Sequence, residues 1–206
     1  MVKIFVDSGS SIKQEEKEKY GVEIIPLRYL LNDVEYQDGV DLSIDEFYKI
    51  FLKGKVFPKT SLPYLDKLES DVNETTSRGD DVIIITISSK ISGTFNTISN
   101  LFAGNHKVFV IDSVSAVGGI RLLVEEINRN LNLETKEIVQ KVLDLIPKIR
   151  VCAIPETLEY LYKGGRLSKK DYILGSVLNI KPVVSIIDGN VKVYAKKIGL
   201  KSSMKF

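Results

Sequence analysis

Small hydroxyl-bearing residues crowd four short stretches: Asp7-Ser8-Gly9-Ser10-Ser11, Lys59-Thr60-Ser61, the run from Ser88 to Thr94 (SSKISGT), and Asp112-Ser113. Such residues support two kinds of chemistry. A serine beside a base can attack an acyl centre. Several hydroxyls together with backbone amides can instead hold an anion through charge-assisted hydrogen bonds. The phosphate loop G-x-x-x-x-G-K-[ST] and the hydrolase elbow G-x-S-x-G are both absent from the sequence. Ser10 to Lys13 fits S-x-x-K and Lys59 to Ser61 is a loose counterpart of K-T-G, but matches this short arise by chance. Binding of an anionic group is the leading reading, with no bond broken. The alternative is a serine-dependent hydrolase or acyltransferase in which Ser92 or Ser8 attacks and Lys59 or Lys90 acts as base. A third reading is a module that binds a peptide in the same cleft.

Other chemistry is restricted by the inventory. Cys152 and His106 are each the only residue of their kind, so neither an internal disulfide nor a Cys/His zinc cluster can form. His106 sits in the turn-like segment AGNHK, where a solvated loop histidine is the ordinary expectation. No metal and no cofactor is expected.

The elements that must position the hydroxyls are legible as alternating patterns. Apolar runs occur at 2–6 (VKIFV), 82–87 (VIIITI), 108–111 (VFVI) and 151–154 (VCAI). Short Val/Ile-rich runs without alternation predict strands buried on both faces, as in a parallel sheet. Helical spacing separates them. Residues 43–53 open with a Ser43/Glu46 capping box, and residues 117–130 and 135–146 place apolar side chains three and four apart, with Pro147 closing the last. This predicts an α/β N-terminal domain over 1–150 with a parallel sheet. Three of the hydroxyl clusters directly follow strands, so they should share the carboxyl edge of that sheet, where ligands bind in open α/β folds. Gly93-Thr94 should start a helix whose free N–H groups attract an anion. Taken singly, each hydroxyl is an ordinary cap or turn residue.

The remainder, 151–206, reads as a smaller α+β domain. Two helices hinge at Gly164-Gly165, with Ser168 and Asp171 as a capping pair, and a hairpin turns at Asp188-Gly189-Asn190. A lone hairpin is marginal, so this domain reads as incomplete.

Composition agrees with a soluble globular chain: 206 residues, 44% hydrophobic, 27% charged. A net charge of +2 leaves no electrostatic footprint for nucleic acid. No apolar stretch approaches the ~20 residues that span a bilayer, and MVKIFVDS lacks a secretory layout. A cytoplasmic location without stable membrane insertion is expected.

Six segments together resemble the DegV family of bacterial fatty-acid-binding proteins: FVDS at 5–8, KTSLP at 59–63, SSKISGTFN at 88–96, ID-S at 111–113, LEYLYKGGRLS at 158–168 and NIKPVVSIIDGNVKVYAKK at 179–197. They span nearly the entire chain in the family's order. The resemblance implies a two-domain, monomeric, non-enzymatic protein that buries a long-chain fatty acid in a tunnel between its domains. It implies that Thr60 and Ser92 hold the carboxylate, with the Gly93 amide, Ser61 and Arg166 beside them. Tunnel walls would come from Ile91, Phe95, Ile98, Val177, Leu178 and Ile180. It also implies a partner, the kinase subunit of a fatty acid kinase, which phosphorylates the presented acid to an acyl-phosphate for phospholipid synthesis. The sequence departs from the family pattern in two places: Gly9 stands where Thr is usual, and Ile198 replaces the arginine of K-x-R-G-x-K at 196–201. The family also usually continues past the position of Phe206, adding a late histidine to the head-group network.

Overall fold

The computed structural model describes residues 1–54, 57–175 and 180–198. The chain divides into two compact units, Met1–Ile149 and Arg150–Phe206.

The first unit contains, in chain order, β1 (Val2–Asp7), α1 (Lys17–Tyr20), β2 (Val22–Ile25), β3 (Arg28–Leu31), β4 (Val34–Gln37), α2 (Ile44–Gly54), β5 (Lys59–Ser61), α3 (Asp66–Ser77), β6 (Asp81–Thr86), α4 (Thr94–Leu101), β7 (Val108–Asp112), α5 (Gly118–Arg129) and α6 (Thr135–Leu145). Four of these strands form a parallel sheet in the order β2-β1-β6-β7. Its central strands carry bulky side chains to both faces. Ile4, Val6, Ile83, Ile85 and Ile111 pack against Ile120, Leu123, Val124 and Ile127 of α5 and Ile138 and Val142 of α6. On the opposite face, Phe5, Val82 and Ile84 meet Leu68 and Val72 of α3 and Ile98 of α4. Full burial of such a side chain contributes ~1.5–3 kcal/mol, so the two cores fix the sheet between helical layers.

A second, antiparallel sheet lies outside that sandwich, in the order β4-β3-β5. Helix α2 accompanies it. Its capping box is formed: the Ser43 amide donates to Glu46 (2.9 Å) and the Glu46 amide to Ser43 Oγ (3.3 Å). None of the residues of α2 is buried.

The second unit contains β8 (Cys152–Ala153), α7 (Glu159–Lys163), α8 (Lys169–Gly175), β9 (Ile180–Ile187) and β10 (Asn190–Ile198). The run VCAI, expected as a strand buried on both faces in a parallel sheet, is instead a two-residue edge strand. It pairs antiparallel with β9 and leaves Cys152 and Ala153 exposed. It thereby gives the β9–β10 hairpin a third strand. Leu158, Leu167 and Val184 form a small core, edged by Leu161, Tyr172, Val191 and Val193. Tyr162 stacks on Tyr172 with ring centroids 4.5 Å apart.

Candidate functional site

The carboxyl ends of β1, β6 and β7 lie side by side, since Val6 pairs with Ile85 and Thr86 with Asp112. Most of the polar groups gathered there hold the turns rather than await a ligand. The Asp7 carboxylate accepts from the Gly9 amide (3.0 Å) and, across to β6, from the Ile87 amide (2.7 Å). Asp112 accepts from the amides of Ser89 (3.1 Å) and Val114 (2.9 Å). Ser8 Oγ takes the Leu27 amide, Ser10 Oγ the Ile12 amide, Ser88 Oγ the Lys90 amide, and Ser113 Oγ the Ser115 amide. The bonds of Ser10, Ser88 and Ser113, and those of Asp7 to Gly9 and Asp112 to Val114, are the local ones that close turns, whereas Ser8–Leu27, Asp7–Ile87 and Asp112–Ser89 tie separate segments together.

Asp7 is fully buried. Burial pushes its carboxyl up to about 7, against the pull of the two amides, with the negative charge of Asp38 adding to the rise.

Ser92 and Gly93 precede α4. Ser92 Oγ shares a 2.8 Å hydrogen bond with Thr94 Oγ1 and accepts from the Thr94 amide at 3.3 Å. Among the described residues neither Ser8 nor Ser92 is hydrogen-bonded to an amine, and Lys59 and Lys90 are exposed. Thr97, one turn into the helix, back-bonds to the Gly93 carbonyl.

Thr60 is the central residue of β5, directly opposite Tyr29 of β3. Opposed residues in an antiparallel pair project to the same face, so Thr60 shares the face of Tyr29. Ser61, one residue on, projects to the other face by strand alternation. Beyond β5 the chain is anchored by Arg28, whose Nε donates to the Leu62 carbonyl (2.6 Å) and whose guanidinium lies 4.0 Å from the Tyr64 ring centroid while pairing with Glu35. This places Leu62 against Gly93: a Cβ on that glycine would stand 3.5 Å from Leu62 Cδ2. The KTSL and SGT segments, thirty residues apart in sequence, are therefore neighbours.

A pocket of about 390 Å³ opens between the small sheet and α2, lined by Leu27, Tyr29, Leu42, Phe47, Tyr48 and Thr60 among others. Sequence reasoning missed this pocket, although Phe47 and Phe51 at helical spacing were the available signal. Of the expected wall residues, Ile91 and Phe95 are half-buried, and Ile98 is fully buried in the core around α3 and α4. Val177 and Leu178, and the side chain of Ile180, lie outside the described residues. Arg166 belongs to the second unit, is exposed, and donates to the Gly164 carbonyl. His106 is exposed in the turn between α4 and β7. Among the described residues, no group of His, Cys, Asp or Glu is arranged to hold a metal ion, and no helix is long and apolar enough to cross a membrane.

The model of the DegV family matches residues 1–206. The chain belongs to the DegV family. A DegV domain-containing protein of Caldanaerobacter subterraneus is 34% identical over 209 residues, covering 100% of this chain and 74% of that protein. Among solved structures, a fatty-acid-binding DegV family protein from Thermus thermophilus superposes with a TM-score of 0.85 at 26% identity, over 99% of this chain and 74% of its own. A stearic-acid-binding protein from Eubacterium ventriosum gives 0.85 at 29% identity, over 98% and 72%. The DegV protein of Bacillus subtilis, a fatty-acid-binding protein, gives 0.83 at 25% identity, over 99% and 74%. The parallel sheet and the smaller antiparallel unit are thus the DegV architecture.

Proposed function

We propose that this protein binds one long-chain fatty acid without chemically altering it. Thr60, Ser92 and the Gly93 amide receive the carboxylate, and Arg166 takes the countercharge role that the family pattern implies. The observation that carries this reading is the approach of Leu62 to Gly93, which sets a hydroxyl-bearing strand beside a hydroxyl-bearing helix start. The fatty-acid binding named for DegV proteins and for a stearic-acid-binding protein of the same fold supports it.

The energetics are consistent. Each buried methylene contributes about 0.8 kcal/mol, so the tail supplies most of the affinity. A carboxylate leaving water needs hydrogen-bond donors to offset its desolvation, and two hydroxyls with an amide provide them. The bound acid would then be presented, in the cytoplasm and by a monomer, to a separate kinase subunit that forms the acyl-phosphate.

Organic extraction of protein purified from a bacterial host, followed by mass spectrometry, tests the central claim. A stoichiometric fatty acid is expected; a protein that neither carries one nor takes up added oleate sinks it. Stoichiometric labelling by an irreversible serine-directed reagent would favour the hydrolase instead. Mixing the loaded protein with ATP and a fatty acid kinase subunit tests presentation, with acyl-phosphate expected only when both proteins are present.

A further inference from the structure

Strand β6 is flanked by β1 and β7, and both neighbours end in an aspartate, Asp7 and Asp112. The two carboxylates act alike. Each accepts the amide two residues further along its own chain, Gly9 at 3.0 Å for Asp7 and Val114 at 2.9 Å for Asp112. Each also reaches sideways to the segment that leaves β6: Asp7 takes the Ile87 amide at 2.7 Å, and Asp112 the Ser89 amide at 3.1 Å. Between them the Ser88 amide donates to the Ser115 carbonyl at 2.8 Å. Three consecutive amides are therefore held from both sides of the strand.

From there the segment winds onto Ser88, which is fully buried. The Lys90 amide donates to Ser88 Oγ (3.2 Å), and the amides of Ile91 (2.9 Å) and Ser92 (3.0 Å) donate to the Ser88 carbonyl. Every N–H from Ile87 to Ser92 is thus satisfied within the protein, and the Gly93 amide is the first in the run without a partner among the described residues. Ser92 and Gly93 are the groups assigned above to the carboxylate. Their placement follows from Ser88, and that of Ser88 from the bonds on either side of it.

We propose that Asp7 and Asp112 are the positioning residues of the head-group site: by clamping the segment after β6 they fix where Ser92 Oγ and the Gly93 amide stand, and so set the preference for a carboxylate over an uncharged head. This rests on the fatty-acid reading above and adds what holds its donors in place.

Their charge is not the useful property, since an anion behind an anion site opposes binding. An oxygen that takes an amide fixes backbone, and donors fixed beforehand bind without the ordering cost of a loose loop. The two aspartates differ in a way that separates these effects. Asp112 holds both of its amides on one oxygen, Oδ1. Asp7 divides them, Gly9 on Oδ1 and Ile87 on Oδ2. An asparagine reproduces the first arrangement with its single carbonyl oxygen. It cannot reproduce the second, because its NH₂ group then faces an amide N–H.

Asp7→Asn, Asp112→Ala and Asp112→Asn are titrated with oleic acid and with oleyl alcohol, which has the same chain and no carboxylate. The titrations are run at pH 8, where the Asp7 carboxyl, lifted by burial to about 7, is mostly ionised. The measured quantity is the ratio of the two affinities. Asp7→Asn and Asp112→Ala should each lower it by roughly tenfold with the alcohol bound as before, and Asp112→Asn should restore it. Acid and alcohol affinities that fall together would show a general packing role and overturn the proposal. So would tighter binding of the acid by both asparagine variants, which is the outcome if the carboxylates act only as charges, and so would a ratio unchanged in all three. The Asp112 pair decides the matter by itself if Asp7→Asn does not fold. An unsubstituted protein that binds oleic acid no better than oleyl alcohol removes the head-group site, and one that binds neither removes the fatty-acid reading; the proposal falls with either.

Discussion

Thr60 stands directly opposite Tyr29 across the β3–β5 ladder, so a hydroxyl donor and an aromatic wall share one face of the small sheet. Thr60→Val keeps the β-branched shape and removes the donor. It should weaken fatty-acid binding by about 1–3 kcal/mol, the cost of leaving a buried acceptor short, with the melting temperature unchanged. Ser92→Ala should do the same at the start of α4. Ser61→Ala, on the opposite face, should leave affinity as it is. Titration of each variant with a fluorescent fatty acid measures all three.

Asp7 makes stability depend on pH in the direction unusual for a carboxylate. Its pKa is about 7 when folded, against a reference value of 3.8, so between these values the folded chain holds a proton that the unfolded chain has released. Stability therefore declines as pH rises through that window, at up to about 1.4 kcal/mol per unit. Urea midpoints at pH 5 and pH 8 should show the wild type losing stability from this group. Asp7→Asn should be weaker at the lower pH, having lost one acceptor for the Gly9 and Ile87 amides, and should show a flatter profile.

Thr86 is fully buried at the end of β6, and its hydroxyl has no hydrogen-bond partner among the described residues. Its desolvation is uncompensated. Thr86→Val, of nearly the same shape, should raise stability by ~1 kcal/mol, visible as a higher urea midpoint with an unchanged slope.

Gly9 sits where a side chain has little room. A Cβ at this position would lie 2.9 Å from Asp7 Oδ1 and 3.0 Å from Ile87 Cδ1. Gly9→Thr should destabilise the chain by about 1–3 kcal/mol through this crowding, read from denaturant melts.

The sequence announced its parallel sheet because β1 and β6 are Val/Ile-rich runs with most of their residues buried, and β7, half-buried at the sheet's edge, has the same composition. Helices α2, α5 and α6 were legible from their apolar spacing and, for α2, the Ser43/Glu46 box. The small sheet escaped notice because β3, β4 and β5 are four residues or fewer and pair through connections of unequal length. Helix α3, DKLESDVNETTS, buries only Leu68 and Val72, too few to mark a period. VCAI misled because composition cannot tell a strand buried on both faces from an exposed edge. At the site, Thr60, Ser92 and Gly93 stood out as residue types. The partnership of Thr60 with Tyr29 and Phe47 could not, since it depends on antiparallel register and on a helix docked from outside the ladder.

Because α2 contributes no buried side chain to either large core, its fluctuations are energetically decoupled from the sandwich. One turn of it can come apart without loosening Leu123 or Ile127. Its amide protons should exchange well before those of α5. The scaffold can then stay rigid while this one helix opens and re-forms.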